Sequence, residues 1–228
     1  MLALSAFLAA FGNLATWLFS ASPPGIPWLG LPAALVLVGA LVVWADRVAR
    51  LTPTELGLSG AGLARSAGVG LLVAVVAGGA ALVFLRFPPL LHGPVVYEPL
   101  SNLLGVGLVW RVGLWMPLDT ALPEEFAFRG VLLASLLRSV SPVRASLLSA
   151  AVFMLWHAAV ITRTLGETNL RDEPLFLAVG VAGAWLAVFV GGVLFAALRI
   201  RTRHLAGSVL AHWAFNAVLL VGVARPAT

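Results

Sequence analysis

The chain has 228 residues, of which 61% are hydrophobic and only 10% are charged, and its formal net charge is +5. Soluble domains average about 25% charged residues, so the composition excludes an ordinary soluble protein and predicts an integral membrane protein. All fourteen basic residues are arginines, and most of them lie beside apolar runs, where the positive-inside rule accounts for them without a nucleic-acid partner. The absence of cysteine excludes disulfides, thiolate metal sites and a cysteine nucleophile.

The apolar runs predict an all-α, polytopic bundle of seven to eight transmembrane helices that forms a single membrane domain over 1–228. Residues 1–99 supply the N-terminal helices. Between the second and third spans, Pro53 and Thr54 predict a short helix or turn along the membrane interface, with Thr54 as a candidate cap. The predicted spans, in chain order, are 2–20, 28–44, 66–85, 102–138, 142–161, 174–198 and 205–223.

The stretch 102–138 is too long for one straight span of about 20 residues, so two helices or one broken helix both fit it. The positions of the arginine-rich turns favour one net crossing of the membrane by this stretch. If the stretch crosses once and the N-terminus is inside, all the basic turns fall on the cytoplasmic side. We therefore expect seven crossings with a kinked or re-entrant piece near 117–123, and eight helices are the alternative. The basic turns contain Arg47, Arg50, Arg65, Arg138, Arg144, Arg199, Arg201 and Arg203.

The segment 123–130 places two adjacent carboxylates and an arginine inside an apolar run. An ionisable group at membrane depth costs at least about 2.5–3.5 kcal/mol, so such groups are usually retained for a pathway or a reaction. Glu125 and Arg129 are four residues apart and can pair on one helix face. The helical rise places Glu124, His157 and His212 within roughly 10 Å of one another in depth. The sequence therefore predicts one shared polar pocket.

A carboxylate, two imidazoles and an amide suit the activation of water at a carbonyl group. The carboxylate acts as general base, a histidine holds the water or returns the proton, and the second histidine and Asn216 donate to the oxyanion. Each residue also has a structural interpretation. Glu125 and Arg129 could form only a buried ion pair, His157 or His212 could be packed core histidines, and Asn216 could join two helices. The functional interpretation depends on all of these residues occurring together.

Three ordered motifs carry a family resemblance: Glu-Glu-x-x-x-Arg at 124–129, Phe-x-x-x-His at 153–157 and His-x-x-x-Asn at 212–216. They resemble the CAAX-protease and bacteriocin-processing family of intramembrane proteases, also called the abortive-infection family, which includes the type II CAAX prenyl endopeptidases. The resemblance covers roughly 100–220 and implies a catalytic core there. It implies an intramembrane endopeptidase that hydrolyses a peptide bond.

The resemblance also implies roles for the motif residues. Glu124 would work on water together with His157, and Glu125 and Arg129 would orient and support it. The third motif, which begins at His212, would form the oxyanion site. No motif position departs from the family pattern, so we expect an active enzyme.

The sequence is compatible with two forms of the site, with and without a metal. Zinc accepts carboxylate and imidazole ligands, and Glu124, His157 and His212 could hold it. The His-Glu-x-x-His motif, a firmer sign of zinc, is absent from the sequence, and a metal-free glutamate-activated water is slightly favoured.

The expected partners are the lipid bilayer and a protein or peptide substrate, lipidated or not, and no nucleic acid. The expected location is the cytoplasmic membrane of a prokaryote, as a multi-pass protein. Two other functions fit the same buried residues. A small transporter or proton relay is one, although no pair of matching half-sequences is visible. A scaffold or immunity protein that binds a peptide without cutting it is the other.

Overall fold

The computed structural model describes residues 1–20, 30–60, 62–88, 93–97, 99 and 105–223. This part of the chain is all-α, with one isolated β-bridge between Tyr97 and Thr168. The expected first residues of two spans, Trp28 and Asn102, lie outside the described residues. The helices within the described ranges are α1 (Leu2–Ser20), α2 (Gly30–Val48), α3 (Pro53–Leu56), α4 (Leu63–Arg86), α5 (106–137), α6 (Pro142–Trp156), α7 (Ala158–Gly166), α8 (Pro174–Thr202) and α9 (Leu205–Val223).

Four helices of the described chain, α2, α4, α8 and α9, are long and apolar enough to cross a membrane. The bent pair α6–α7 makes a fifth span if it is counted as one. Helix α1 is apolar but shorter, and α5 carries five charged residues along its length. The chain is therefore an integral, multi-pass membrane protein. By the length and composition of its described helices, it has four to five of the seven to eight spans that we expected.

Helix α5 is continuous from 106 to 137, so the irregularity expected near 117–123 is not a break between two helices. Instead the helix widens into π-helical hydrogen bonding over Arg111–Ala121 and again over Phe126–Leu132. Pro117 lies inside the first wide segment, and its carbonyl accepts the N–H of Leu122, five residues on. Proline lacks an N–H and clashes with the preceding turn, and the wider π-helical turn accommodates it.

Helices α6 and α7 meet at an angle of 47°, although we expected one span over 142–161. The bend lies at His157, whose backbone (φ −88°, ψ 2°) leaves the regular helical region. Its N–H donates to the carbonyl of Met154, three residues back. Asn13 of α1 bridges the bend. It donates to the carbonyl of Leu155 (2.8 Å) and accepts the N–H of Ala159 (2.7 Å).

Helices α4 and α9 pack closely because glycines face each other. A side chain on Gly70 would overlap the backbone carbonyl of Gly207, so only glycine lets the two helices approach this far. The buried hydroxyl of Ser66 accepts the N–H of Gly207 (2.9 Å) and contacts Thr202 (2.9 Å). This contact fixes α9 against α4 and therefore fixes the depth of the third motif.

The short helix α3 joins the ends of three long helices on one face of the bundle, which we call the arginine face. Arg138, after α5, donates to both carboxylate oxygens of Glu55 (2.7 and 2.8 Å) and to the carbonyls of Ala49 and Arg50. Arg199 of α8 donates to the carbonyl of Glu55 (2.6 Å). The start of α9 joins them through a bond from the N–H of Leu205 to the carbonyl of residue 57.

We expected Thr54 to cap α3, but the cap is Thr52. Pro53 occupies the first helical position, and Thr52 and Glu55 form a reciprocal capping box. The hydrogen bonds from Arg138, and then those from Thr52, lower the pKa of Glu55 from 4.5 to about 2. The carboxylate is therefore charged at neutral pH and available to hold Arg138.

Candidate active site

Helix α5 supplies a fully buried ion pair. Arg129 Nη1 donates to Glu125 Oε1 at 2.8 Å, and neither side chain is exposed to solvent. The pairing expected from the four-residue spacing is therefore present in the structure. The guanidinium lies 4.2 Å from the ring centre of Phe153 and donates weakly to the carbonyl of Gly192 (3.4 Å). These contacts fix Arg129 between α5, α6 and α8, and Arg129 in turn fixes Glu125.

His212 of α9 is oriented by the same carboxylate. Its Nδ1 lies 3.0 Å from Glu125 Oε1, and an ionised carboxylate can only accept a hydrogen bond, so Nδ1 carries the proton. Phe195 stacks against the ring at 5.5 Å between ring centres. The other ring nitrogen, Nε2, then points to Glu124 Oε2 at 4.0 Å. In the neutral ring this Nε2 holds a lone pair.

His157 is oriented by the bend that it occupies. Its Nδ1 lies 2.8 Å from the carbonyl of Phe153, and a carbonyl only accepts, so here too Nδ1 carries the proton. The imidazole thus takes the carbonyl that the backbone N–H of residue 157 would bond in a regular helix. The ring packs edge-on to Phe153 at 4.4 Å. Its Nε2 faces Glu124 Oε2 at 3.6 Å.

Glu124 lies where these two imidazoles converge. The residue is 8% exposed, and its Oε2 atom is buried and makes no direct hydrogen bond within the described chain. The distances to His157 and His212 exceed the roughly 3.2 Å limit of a good hydrogen bond. Three acceptor atoms on three different helices therefore face one another, and a small donor such as water can bridge atoms at this separation.

A cavity of about 850 Å³ reaches this cluster. Glu124, His157, His212 and Asn216 all line it, and Asn216 lies one turn beyond His212 on α9. The buried ion pair of Glu125 and Arg129 lies behind this wall. The structure therefore brings all six predicted residues together, with four on the cavity and two supporting them.

The cluster does not fit a preformed three-ligand zinc site. Tetrahedral zinc with Zn–N and Zn–O distances of about 2.1 Å places neighbouring ligand atoms about 3.4 Å apart. The nitrogens of His157 and His212 are 3.6 and 4.0 Å from Glu124 Oε2. Among the described residues no group of three His, Asp or Glu has metal-binding geometry. The donor types suit zinc, but the 4.0 Å separation between His212 Nε2 and Glu124 Oε2 is too long for a preformed site.

The sequence did not identify two polar features as parts of the site, one that supports His157 and one in the cavity wall. Asn13 was one amide in an apolar first helix, and only the fold shows that it holds the bend at His157. Arg111 and Asp119 form an ion pair of 2.8 Å in the cavity wall. The signal in each case was a polar residue inside a span, which indicates a function or a partner in membrane proteins.

A family comparison agrees with this geometry. The sequence model described as type II CAAX prenyl endopeptidase Rce1-like matches residues 105–218, a range that contains all six site residues and makes up half of the chain. The protein therefore belongs to the type II CAAX prenyl endopeptidase Rce1-like family, and this membership implies an intramembrane protease. No curated protein and no solved structure matches the chain.

Proposed function

We propose that the protein is an intramembrane endopeptidase in which Glu124, assisted by His157, activates water for attack on a peptide carbonyl. One observation carries the proposal: Glu124 Oε2 lies between the unprotonated Nε2 atoms of His157 and His212 in the wall of a cavity. A water bound there can donate to the carboxylate and to one imidazole, so its oxygen lone pair is free for the attack. This is the geometry that general-base catalysis requires.

In this reaction the water oxygen bonds to the carbonyl carbon while Glu124 takes one water proton. The tetrahedral intermediate then collapses, the carbon–nitrogen bond breaks, and the proton passes to the leaving nitrogen from Glu124 or through His157. The products are a carboxylate and an amine. Proton transfers of this kind contribute about 10²–10⁴-fold to a rate.

His212 and Asn216 serve as the oxyanion site in this proposal, with one condition on His212. Because Nδ1–H is directed to Glu125, Nε2 can donate to an oxyanion only when the ring carries a second proton. The Glu125 carboxylate compensates the charge of that imidazolium. Asn216 provides an amide N–H from the next turn of the same helix, and each such donor is worth about 3–4 kcal/mol in known enzymes.

The wider architecture that we propose has seven membrane crossings with a cytoplasmic N-terminus. In this architecture α1 and α5 also cross the membrane, in addition to α2, α4, α8, α9 and the bent pair α6–α7. The arginines at the ends of α2, α5 and α8 then share one side, as the positive-inside rule requires. We place the protein in the cytoplasmic membrane of a prokaryote, with a membrane-associated protein or peptide as substrate, lipidated or not.

The experiment is a survey of new protein termini in host cells that carry the wild-type protein, Glu124→Gln or Glu173→Gln at equal expression. Glu173 is an exposed acid at the start of α8 and serves as the matched control. Termini that appear with the wild type and Glu173→Gln, but not with Glu124→Gln, would support the proposal. Identical termini in all three strains would contradict it and favour a scaffold that does not cut.

A further inference from the structure

Pro117 leaves one carbonyl of α5 without its expected partner inside the helix. In π-helical hydrogen bonding a carbonyl accepts the N–H five residues further on, so the carbonyl of Val112 would pair with residue 117. Proline has no N–H to donate. Backbone carbonyls inside a protein are almost always paired, so this carbonyl needs a donor from another part of the fold.

Trp213 of α9 supplies that donor. Its indole Nε1 donates to the carbonyl of Val112 at 2.8 Å. An indole nitrogen only donates a hydrogen bond and a carbonyl only accepts one, so the bond has a single possible direction. It joins two helices at the position where a proline prevents the corresponding bond within one of them.

Trp213 also lies between the two residues proposed for the oxyanion site. His212 precedes it in α9 and Asn216 follows within one turn, and both of these residues line the active-site cavity. Successive residues of a helix point about 100° apart, so the side chains of His212 and Trp213 reach different parts of α5. His212 contacts Glu125, and Trp213 contacts Val112 nearer the start of that helix.

Two bonds at different levels of α5 fix α9 more completely than one bond does. The contact of His212 with Glu125 would by itself allow α9 to pivot about that point. The bond from Trp213 to Val112 removes this freedom, while the close contact with α4 holds the start of α9. The rotation of α9 about its axis then determines where the two proposed oxyanion donors point.

We propose that Trp213 is a positioning residue of the active site: by donating to the carbonyl that Pro117 leaves free, it sets the rotation of α9 and aligns the two oxyanion donors. The role in the reaction rests on the proposed function, whereas the bond between α9 and α5 does not. The oxyanion forms only after the substrate has bound, so misaligned donors lower kcat and leave KM nearly unchanged.

The test is Trp213→Phe, which keeps an aromatic ring but removes the indole N–H. The matched control is Trp185→Phe on α8, because the indole nitrogen of Trp185 is buried and has no hydrogen-bond partner in the part of the chain that the structure describes. A third variant, Pro117→Ala, restores an N–H that can pair with the carbonyl of Val112 within α5. Trp213→Phe is therefore made in the wild-type and in the Pro117→Ala backgrounds.

The kinetic constants are measured on purified full-length protein in lipid nanodiscs. A misplacement of 1 Å can cost about 10²-fold in rate, so we expect Trp213→Phe to lower kcat by about ten- to a hundredfold with KM nearly unchanged. Trp185→Phe should leave both constants unchanged. In the Pro117→Ala background Trp213→Phe should lower kcat by no more than about threefold, because the carbonyl keeps a partner. Equal effects of the two tryptophan variants, or an equal fall in both backgrounds, would overturn the proposal.

Thermal unfolding in the same nanodiscs tests the bond separately from the reaction. We expect a lower midpoint for Trp213→Phe than for Trp185→Phe, and a smaller loss when Pro117→Ala is also present. If Trp213→Phe folds only together with Pro117→Ala, that rescue supports the bond, whereas equal midpoints for the two tryptophan variants would contradict it. A wild-type protein that cleaves no peptide would contradict the proposed function, and normal cleavage by Trp213→Phe would contradict only the positioning role.

Discussion

The carboxylate of Glu125 and the guanidinium of Arg129 are 2.8 Å apart, and both side chains are completely buried. Glu125→Gln leaves the arginine charge without its counter-ion and replaces the charged acceptor of His212 by a neutral amide. Breaking a buried pair from one side costs about 3–5 kcal/mol, so we expect a large fall in the midpoint of thermal unfolding in lipid nanodiscs. The control is Asp46→Asn, which removes an exposed pair with Arg47 worth less than about 1 kcal/mol. Equal midpoints for the two variants would contradict a supporting role for the buried pair.

Asn13 is a positioning residue for His157 in this account. Asn13→Leu keeps the approximate size but removes the bonds to the carbonyl of Leu155 and from the N–H of Ala159, each worth about 0.5–1.5 kcal/mol. The bend then loses its fixed geometry, and we expect kcat for peptide cleavage to fall about tenfold with KM nearly unchanged.

The control for this variant is Thr162→Val. Thr162 is exposed, is not among the residues that line the cavity, and donates to the carbonyl of Ala158 within α7. A purely structural role for Asn13 would lower the amount of folded protein and leave the kcat of the folded fraction intact. That result would reject the positioning role.

Tyr97 gives a pH prediction that a single absorbance signal can test, because it is the chain's sole tyrosine. Burial, and then the neighbouring carboxylate of Glu167, raise its pKa from 10.0 to about 12. A pKa that is higher in the folded state stabilises the fold below pH 10, and the contribution is lost as the pH rises through 12. We expect phenolate absorbance to appear with a midpoint near pH 12.

Glu167→Gln removes the negative charge, so it should lower the pKa of Tyr97 while burial keeps it above 10. Arg163→Gln should move the pKa the other way, because that arginine favours the phenolate. A wild-type midpoint at 10, or two variants that shift in the same direction, would show that Tyr97 is not held against Glu167.

The packing of α4 on α9 can be tested at a single position. Gly70→Ala forces a methyl group into the backbone carbonyl of Gly207, which cannot move away as a side chain could. Overpacking of this kind costs about 1–3 kcal/mol, so we expect a lower unfolding midpoint and reduced activity through displacement of His212. Gly79→Ala on the same helix meets open space and should be neutral or slightly stabilising. Identical behaviour of the two variants would contradict the close approach of the helices.

The sequence predicted the features that depend on local spacing and on polarity within apolar runs. The pairing of Glu125 with Arg129 follows from a four-residue spacing, and the common depth of Glu124, His157 and His212 follows from helical rise. Both are present in the structure. The residues of the site stood out because ionisable groups are costly in a membrane.

Features that depend on contacts between distant segments could not be predicted in this way. The bend at His157 is fixed by Asn13, which is more than 140 residues away in the chain. A proline inside a helix can lead either to a break or to a π-helical widening, so the sequence alone did not decide which of the two α5 contains. The cap at Thr52 could have been found locally, because proline prefers the first helical position and so identifies the preceding residue as the cap.

The measurement that tests the central claim most directly is the rate of peptide-bond cleavage by purified wild-type protein and Glu124→Gln in nanodiscs. The substrate is a membrane-anchored peptide identified by the survey of termini. Loss of the general base predicts a rate lower by about 10²–10⁴-fold, with an unchanged unfolding midpoint. Cleavage by Glu124→Gln at the wild-type rate would contradict the assignment of Glu124 as the base.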